Sequence, residues 1–326
     1  MKLATLKDGS RDGQLMVVAR DLKTAVIVAH IAPTMQNLLD SWAFMAPQCE
    51  DVYVQLNQGR AANSFDFDPR NCMAPLPRAF QFADGSAYVD YVELLCRARA
   101  AEMPELFWAE PLIHQAAGDD FIGPCDPVVV ADQSWGIDLE AEIAVILDDV
   151  SAGSKPAQVA EKIRLLMLMN DVSLRELIPQ EMIKGFGFLN SKPACSFSPV
   201  AVTPDELGEA WNKGKIDLSL RSSVNGKLLG QPNAATDMTF NFPQLGAHLC
   251  KTRNLRAGTI LGSGTVFNKA GTKGQSSLFG LRAQETLDGA ALTPYLQWGD
   301  QIKIDMLDKH GKSIFGAIEQ QICDHG

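Results

Sequence analysis

The first part of the chain predicts short strands followed by a helix. Apolar residues favour strands over 2–6 and 15–20, and the turn at 8–13 between them carries an Asp-Gly hairpin signal. A further apolar run predicts a strand over 25–30. Apolar positions spaced i, i+3, i+4, i+7 then predict a helix over 33–45.

The middle of the chain alternates between helical and strand patterns. The spacing of apolar residues predicts an amphipathic helix over 88–102. Strands are expected over 128–131 and over the continuous apolar run 143–147. A second helix is predicted over 156–169, with Pro156 in its first turn.

From residue 216 onward the pattern is mostly of strands. A type I′ hairpin turn is predicted over 224–227 and a short helix over 242–250. The strands expected here are 218–222, 259–261, 301–306 and 313–322. Because regular βαβ alternation is absent, the sequence favours a strand-dominated α+β fold over a Rossmann fold.

A pair of prolines marks the predicted domain boundary. Pro75 and Pro77 interrupt the pattern at 71–77. We therefore expect a small β-rich N-terminal domain over 1–73 and a main domain over 74–326.

Composition narrows the class of protein. The 326 residues carry a net charge of −10 with 46% hydrophobic residues, which argues against a nucleic-acid or anionic-membrane partner. The apolar run 25–32 is too short to span a bilayer, and the N-terminus has no signal-peptide core. The chain has an odd number of scattered cysteines, which favours reduced thiols in a cytoplasmic protein: Cys49, Cys72, Cys96, Cys125, Cys195, Cys250 and Cys323.

Two carboxylates stand at the entrance of the apolar strand 143–147. Period-two geometry places Glu140 and Glu142 on the same face, where they repel each other. A hard divalent cation would remove this conflict, since such ions prefer oxygen ligands. The alternative is an exposed strand end with two solvated side chains.

A glycine-rich turn follows the strand predicted over 259–261. The segment Gly-Ser-Gly-Thr over 262–265 lacks the dinucleotide-binding spacing, and no clear helix follows it. It is interpreted as a tight turn that presents Thr265 to a site, or simply as a turn at the end of a strand.

Several segments together resemble the fumarylacetoacetate hydrolase family, in order and in spacing. They are Asp-Leu-Glu-Ala-Glu at 138–142, Leu-Met-Asn-Asp-Val-Ser-Leu-Arg at 168–175, Asn-Ser-Lys-Pro at 190–193, Val-Asn-Gly at 224–226, Thr-Asp-Met-Thr-Phe at 236–240 and Gly-Ser-Gly-Thr at 262–265. The resemblance implies a mixed β-roll for the main domain, a small barrel-like N-terminal domain and a homodimer.

The resemblance also implies a metal site for Mg²⁺, or for Ca²⁺ or Mn²⁺. The positions that match the family's four carboxylate ligands are Asp84, Glu140, Glu142 and Asp171. The metal would act as a Lewis acid on a keto-acid substrate that chelates it through two oxygens. The resemblance places Lys192 and Thr265 beside that substrate, whereas Arg175, four residues after Asp171, either orients this carboxylate or forms a structural ion pair.

The expected water-activating pair is missing. Members of the family use a His–Glu pair, and the matching positions here hold Tyr91 and Gly280. Tyrosine is a poor base at neutral pH. His114, where the family often has a tyrosine at the mouth of the site, is a possible substitute base or an ordinary structural histidine, whereas His30, His248, His310 and His325 have no site context.

The function expected from the resemblance is metal-dependent hydrolysis of a carbon–carbon bond in a β-diketo acid of the fumarylacetoacetate or acylpyruvate type. Two alternatives remain because of Tyr91 and Gly280. One is 2-keto acid decarboxylation, isomerisation, tautomerisation or dehydration on the same metal platform. The other is a catalytically weak protein that only binds a keto acid.

Overall fold

A computed structural model describes residues 1–325, and within them the chain forms twenty strands and eight α-helices. The helices are α1 (Met35–Asp40), α2 (Trp42–Asn57), α3 (Val89–Ala98), α4 (Leu106–Ala109), α5 (Pro156–Ala160), α6 (Ile178–Lys184), α7 (Phe242–Leu249) and α8 (Leu278–Asp288). None of these helices has the length and apolar character that crossing a membrane requires.

The strands are β1 (Lys2–Leu6), β2 (Gln14–Val18), β3 (Thr24–Ile27), β4 (Phe65–Asp66), β5 (Phe82–Gly85), β6 (Ile113–Ala116), β7 (Val128–Val129), β8 (Ile137–Asp138), β9 (Ala141–Leu147), β10 (Ile163–Asn170), β11 (Ser173–Leu174), β12 (Ser196–Phe197), β13 (Ala201–Val202), β14 (Trp211–Asn212), β15 (Lys215–Ile216), β16 (Leu220–Val224), β17 (Lys227–Gly230), β18 (Thr259–Gly262), β19 (Gln301–Met306) and β20 (Ile318–Cys323). The strand-dominated α+β architecture predicted from the sequence is confirmed.

One large sheet runs through the molecule. Its order is β4-β3-β2-β1-β13-β10-β9-β18-β5-β6, and β12 also pairs with β10. The N-terminal strands join it because β1 pairs with β13 through Lys2 and Val202. A five-stranded sheet has the order β17-β16-β19-β20-β7, and two-stranded sheets are formed by β8 with β11 and by β14 with β15.

The large sheet separates two apolar cores. Along β9, Val145 belongs to one core and Ile146 to the other, because successive side chains point to opposite faces of a strand. Helices α1 and α2 cover one face, whereas the five-stranded sheet with α3, α7 and α8 covers the other. The central strands are therefore buried on both faces, and all of β9 is buried.

The predicted helix over 156–169 is wrong. Only Pro156–Ala160 is helical, and Ile163–Asn170 is strand β10, antiparallel to β9. A strand buried on both faces is apolar at nearly every position, so its sequence also satisfies a helical spacing. Asp171 therefore follows a strand and not the end of a helix.

Other predicted elements are present with shifted ends. The helix predicted over 33–45 is two helices that meet at Ser41. The hairpin turn over 224–227 is confirmed, since Asn225 and Gly226 both have positive φ, of 51° and 74°. Helix α8 was not predicted, because its apolar positions are few and irregular.

Candidate metal centre

Three buried carboxylates meet where the central strands of the large sheet end. Asp84 lies in β5, Glu142 is the second residue of β9, and Asp171 directly follows β10. One oxygen of each lies within 4.8 Å of the others. Three acidic side chains so close together in a buried site are a suitable ligand set for a hard divalent cation.

The electrostatics of this cluster also fit a cation. Burial and the neighbouring carboxylates raise the pKa of Glu142 and the pKa of Asp84 well above the usual range for carboxyl groups. Glu142 Oε2 is buried and has no hydrogen-bond partner among the described residues. A divalent cation would satisfy that oxygen and remove the repulsion between the three groups.

A glycine leaves room for this arrangement. Gly262 in β18 is paired with Asp84, and a Cβ at position 262 would lie 2.2 Å from Asp84 Oδ1. No side chain fits there unless the carboxylate moves. The Gly-Ser-Gly-Thr segment thus lets Asp84 lie against the backbone, and Gly264 N donates to Asp84 Oδ1 at 3.2 Å.

The fourth predicted ligand, Glu140, faces cations instead. Its carboxylate lies 2.7 Å from Lys192 Nζ and 2.7 Å from Arg175 Nη2. Thr265 and Ser173 donate hydroxyl hydrogen bonds to it at 2.6 and 2.8 Å. Burial raises the pKa of Glu140, but the two cations outweigh burial and hold it below the usual range. The four-ligand set therefore stays a prediction, with three of its members gathered in one cluster.

Lys192 is the cation next to the cluster. Its ammonium group donates to Glu140 and to Asp171. Burial lowers the pKa of this lysine, but the two carboxylates outweigh burial and raise it above its usual value. Lys192 is therefore charged and can stabilise negative charge on a bound molecule. Asp171 is also bound on its other side, where Cys195 Sγ donates to Oδ1 at 2.9 Å.

A carboxylate in α6 holds the segment that carries Lys192. Glu181 accepts hydrogen bonds from the backbone N–H groups of Leu189, Asn190 and Ser191 at 3.0, 2.7 and 3.3 Å, and from Ser191 Oγ at 2.5 Å. Burial raises the pKa of Glu181, but these hydrogen bonds outweigh it and lower the pKa to about 2. Sequence reasoning missed this anchor, because three of its four hydrogen bonds come from backbone groups.

Arg175 does not orient Asp171 through a helical turn, since the segment is not helical. Its Nε donates to Asp138 Oδ2 at 2.9 Å, and its guanidinium lies 4.4 Å from the ring centre of Phe279. Asp138 also accepts from the backbone N–H groups of Leu278 and Phe279 at 2.8 and 3.1 Å, where α8 begins. Arg175 thus joins α8 to Glu140.

Asp138 was not singled out from the sequence, although the signal was present. Asp138, Glu140 and Glu142 alternate at period two, so the pattern of acidic residues on one face begins two residues before the predicted pair. All three are buried. A buried run of this kind needs cations, and here Arg175 and Lys192 supply two of them.

Tyr91 and Gly280, the predicted replacements for the water-activating pair, are neighbours. The Tyr91 hydroxyl is 2.9 Å from Ser277 Oγ, which accepts a hydrogen bond from Gly280 N at 3.0 Å. The Tyr91 ring packs against Phe267 with centroids 5.6 Å apart. Burial and the nearby Glu140 raise the pKa of Tyr91, so its hydroxyl stays protonated.

His114 lies in β6, in register with Asp84 of β5. Its Nδ1 is 4.0 Å from Asp84 Oδ2, and its buried Nε2 has no hydrogen-bond partner among the described residues. Burial and the nearby Lys192 lower the pKa of the imidazole, which is therefore neutral. The sequence did not separate a catalytic from an ordinary histidine here, and the structure places it at the site.

One cavity of about 210 Å³ connects these groups. Its charged and polar lining includes Asp84, Glu140, Glu142, Lys192, Thr265, His114 and Tyr91. A small molecule in this cavity would contact the acidic cluster, the lysine and the histidine together. Such an arrangement is typical of an enzyme that polarises a carbonyl group and moves a proton next to it.

Comparison with known proteins identifies the class. Residues 81–323 match the model of the fumarylacetoacetate (FAA) hydrolase C-terminal family, and residues 1–78 match that of the fumarylacetoacetase N-terminal domain 2 family. The chain belongs to the fumarylacetoacetate hydrolase family, as its motifs predicted. Proteins similar to it bear the names of hydrolases, isomerases and oxaloacetate tautomerases.

Three relatives define how far the similarity extends. The chain is 27% identical over 184 residues to a mitochondrial oxaloacetate tautomerase of Xenopus laevis, covering 56% of this chain and 53% of that one. It is 28% identical over 196 residues to the Bacillus subtilis oxaloacetate tautomerase YisK, covering 59% and 60%. The chain thus matches between half and two thirds of the length of these relatives. The maleylpyruvate hydrolase of Sphingobium sp. SYK-6, solved with manganese(II) and pyruvate, has a TM-score of 0.66 at 16% identity, with both chains covered fully, which establishes a shared fold.

Proposed function

We propose that this chain is a divalent-metal-dependent enzyme that enolises a 2-keto acid and so acts as a tautomerase or isomerase. The observation that carries the proposal is the position of the Tyr91 ring, which packs against Gly280 and bonds to Ser277. The pair that activates water in the family's hydrolases is therefore replaced here by a protonated phenol and a glycine. The end of the cavity that would bind the keto acid still has its charged groups.

Asp84, Glu142 and Asp171 would hold the cation, with Glu140 as the fourth ligand that the resemblance implies. Their oxygen-only donor set suits Mg²⁺, Ca²⁺ or Mn²⁺. When bound, the cation would supply Lewis-acid polarisation of the keto and carboxylate oxygens of the substrate. Loss of any one of these carboxylates should weaken metal binding.

His114 and Lys192 would carry the proton chemistry. The His114 imidazole lines the cavity and its Nε2 has no hydrogen-bond partner among the described residues, so it can accept the proton that leaves the carbon next to the keto group. As the electron pair of that C–H bond moves toward the keto oxygen, the Lys192 ammonium can stabilise the charge that develops there. Thr265 already donates to Glu140, so its role is to position this carboxylate, while its oxygen can still accept a hydrogen bond from the hydroxyl group of the enol form of the substrate.

Carbon–carbon hydrolysis is the second candidate function, and His114 also supports it. The same imidazole nitrogen could take a proton from water instead of from carbon. Hydrolysis, the function predicted from the resemblance, would then be retained although the family's pair is replaced. His114 would supply the base from another part of the cavity. Decarboxylation, dehydration or binding without turnover are further outcomes that the same assay detects.

A single assay separates these functions. The protein, loaded with Mg²⁺ or Mn²⁺ or stripped with EDTA, is mixed with oxaloacetate, acylpyruvates and fumarylacetoacetate, and the ultraviolet absorbance of the enol forms is followed. Metal-dependent interconversion of the keto and enol forms without release of two acids supports the tautomerase. Release of two acids supports the hydrolase instead.

Two histidine variants test the base in this assay. His114→Asn should lower turnover at least about 100-fold if the imidazole moves the proton. His248→Asn is the matched control, because His248 lies in α7 and does not line the cavity. Unchanged turnover of His114→Asn would overturn the assignment of the base.

We further propose, from the same resemblance, that the chain forms a homodimer and acts on a small molecule. From its scattered cysteines and its net charge we propose that it acts in the cytoplasm, with neither a nucleic acid nor a membrane as partner. Light scattering during size-exclusion chromatography would test the dimer. A mass of one chain, 35.4 kDa, at micromolar concentration would contradict it.

A further inference from the structure

Besides its charged groups, the cavity has an apolar wall. This wall includes Val92, Leu95, Leu112, Ile178, Phe188 and Phe279. Apart from the buried Ile178, these side chains are only half-buried, so the protein itself does not fully cover them. An apolar surface inside a functional cavity stabilises apolar groups of a ligand.

Separate parts of the chain direct apolar side chains into the same space. Val92 and Leu95 are spaced i, i+3 on α3, so they share one face of that helix. Ile178 begins α6, and Phe279 lies in the first turn of α8. The wall is thus a convergent feature of the fold and not the side of a single helix.

The apolar wall begins directly beside the proposed base. The ring of Phe188 is perpendicular to the imidazole of His114, with centroids 5.1 Å apart. A keto acid held at the charged end, with its reacting carbon near His114, would therefore extend the rest of its carbon chain along this wall.

The cations of the cavity do not favour a second carboxylate on the carbon chain of the substrate. Arg175 is already paired with Asp138 and Glu140, and Lys192 with Glu140 and Asp171. Arg99 lies at the mouth, where it is exposed, with its guanidinium 5.4 Å from the ring centre of Phe279. A carboxylate along the wall would lose water without gaining a buried cation, whereas an ion pair with exposed Arg99 contributes little.

We propose that this cavity selects 2-keto acids whose far end is apolar, such as a short alkyl or phenyl tail, over keto acids with a second carboxylate. The cavity of about 210 Å³ has the volume of roughly seven water molecules at ~30 Å³ each, which limits the tail to a few carbons. This inference rests on the proposed function only for the assignment of a keto acid to the charged end of the cavity. It adds the chemical class of the rest of the substrate.

The test measures binding, which does not depend on turnover. Calorimetry on the Mn²⁺-loaded protein would give the Kd of pyruvate, 2-oxobutanoate, 2-oxopentanoate and 2-oxohexanoate. A matched pair follows: 2-oxoglutarate, and 5-methyl-2-oxohexanoate, in which an isopropyl group replaces the distal carboxylate. We expect Kd to fall about fourfold for each added methylene, and the isopropyl compound to bind at least tenfold more tightly than 2-oxoglutarate.

Two phenylalanine variants locate the effect. In Phe188→Ala, Kd should depend less on the length of the carbon chain. A disturbance of His114 would instead change the Kd of every keto acid, pyruvate included, by the same factor. Phe186→Ala is the control, because Phe186 belongs to the same loop, is 99% exposed and does not line the cavity. If Kd depended equally on chain length in the two variants, the role of the wall would be overturned.

The remaining outcomes are decisive as well. Tighter binding of 2-oxoglutarate, lost in Arg99→Gln, would show that the mouth recognises a distal carboxylate and would overturn the proposal. A Kd that does not change with chain length would overturn it while leaving the enolisation intact. A strong dependence of Kd on chain length, in a protein that catalyses no proton exchange at the substrate carbon, would support the proposal. It would contradict only the proposed function. Failure of every keto acid to bind would overturn both.

Discussion

A Cβ atom placed on Gly280 would lie 2.9 Å from Cε2 of Tyr91, closer than packed side chains approach each other. The Tyr91 hydroxyl bonds to Ser277, whose Oγ also caps α8 through Gly280 N. The residues at 91 and 280 therefore share one volume, in which a large side chain at one position requires a small one at the other. If positions 91 and 280 match the family's pair, as the resemblance implies, the two departures from its pattern are one structural change.

This relationship predicts strong coupling between the two positions. Gly280→Glu alone should lower the free energy of unfolding by about 2 kcal/mol or more, because the new side chain collides with the ring and its charge is buried. In the Tyr91→His background the same substitution should be much better tolerated. Denaturant unfolding of the four proteins should give a coupling energy of about 1–2 kcal/mol, and additivity within about 0.5 kcal/mol would contradict the shared volume.

The double variant also tests why hydrolysis would be weak. Tyr91→His with Gly280→Glu restores the residue types of the family's pair at two positions that lie in contact. If their loss ended hydrolysis, cleavage of acylpyruvates should rise by about 100-fold, the usual contribution of a general base. No gain in a correctly folded double variant would show that the base lies elsewhere.

Much of the site could be predicted because it follows local rules. Glu140 and Glu142 share a face because a strand has period two, and the run after them forms a buried strand because it is continuously apolar. The motifs of the resemblance placed Asp84 and Asp171 near Glu142, although they are distant in sequence. These conclusions needed only spacing and motif order.

Other features depend on distant partners, and spacing cannot supply them. Glu140 turns toward Lys192 and Arg175, not toward the other carboxylates, because two cations from another part of the chain reach it. The segment 163–170 satisfies a helical spacing, and only its pairing with β9, β12 and β13 makes it a strand. His114 becomes a candidate base only once β6 is paired with β5.

The acidic cluster predicts that one substitution, Glu142→Gln, stabilises the metal-free protein but reduces its stabilisation by metal. Folding raises the pKa of Glu142, because the group is buried beside other carboxylates, so its ionisation destabilises the metal-free protein at neutral pH. Glu142→Gln should therefore raise the melting temperature in EDTA. With Mn²⁺ the wild type should gain stability by mass action, and the variant should gain much less.

A control separates this effect from a general loss of negative charge. Glu93→Gln removes a carboxylate from an exposed face of α3, where it pairs with Lys269 and does not line the cavity. Its melting temperature should respond to Mn²⁺ as that of the wild type does. An equal response of Glu142→Gln to Mn²⁺ would refute Glu142 as a ligand.

Arg175 should be irreplaceable by lysine. Its guanidinium contacts Asp138 and Glu140 at once and stacks on Phe279, whereas an ammonium group has neither the fork nor the flat face. Arg175→Lys should lower the free energy of unfolding by about 2–4 kcal/mol, since it leaves a buried carboxylate without its partner. Urea unfolding measures this difference.

The chain contains a matched arginine for comparison. Arg282 stacks on Tyr295 at 4.1 Å and forms no ion pair with a carboxylate among the described residues. Arg282→Lys should lower the free energy of unfolding by less than about 1 kcal/mol. If the two substitutions had equal effects, stacking and not the bond to the carboxylates would explain the role of Arg175.

Glu181 predicts a pH-dependent stability near the segment that carries Lys192. Its pKa is about 2 in the folded chain and ~4.3 in an unfolded one. A carboxyl group whose pKa is lowered by folding stabilises the fold above its unfolded pKa, and this contribution is lost as the pH falls toward the folded pKa. Glu181→Gln should thus lower the free energy of unfolding by about 2 kcal/mol above pH 5, with a difference that shrinks steadily below about pH 4.5.

Unfolding of the wild type and of Glu181→Gln should be compared in steps from pH 7 to pH 3. The glutamine can still accept hydrogen bonds through its amide oxygen, but it has lost the charge that strengthens four donors from 189–191. A difference that stays constant over this range would mean that the shape of the side chain, and not its charge, holds the loop. Converging stabilities would instead identify the carboxylate as the group that fixes the backbone leading to Lys192.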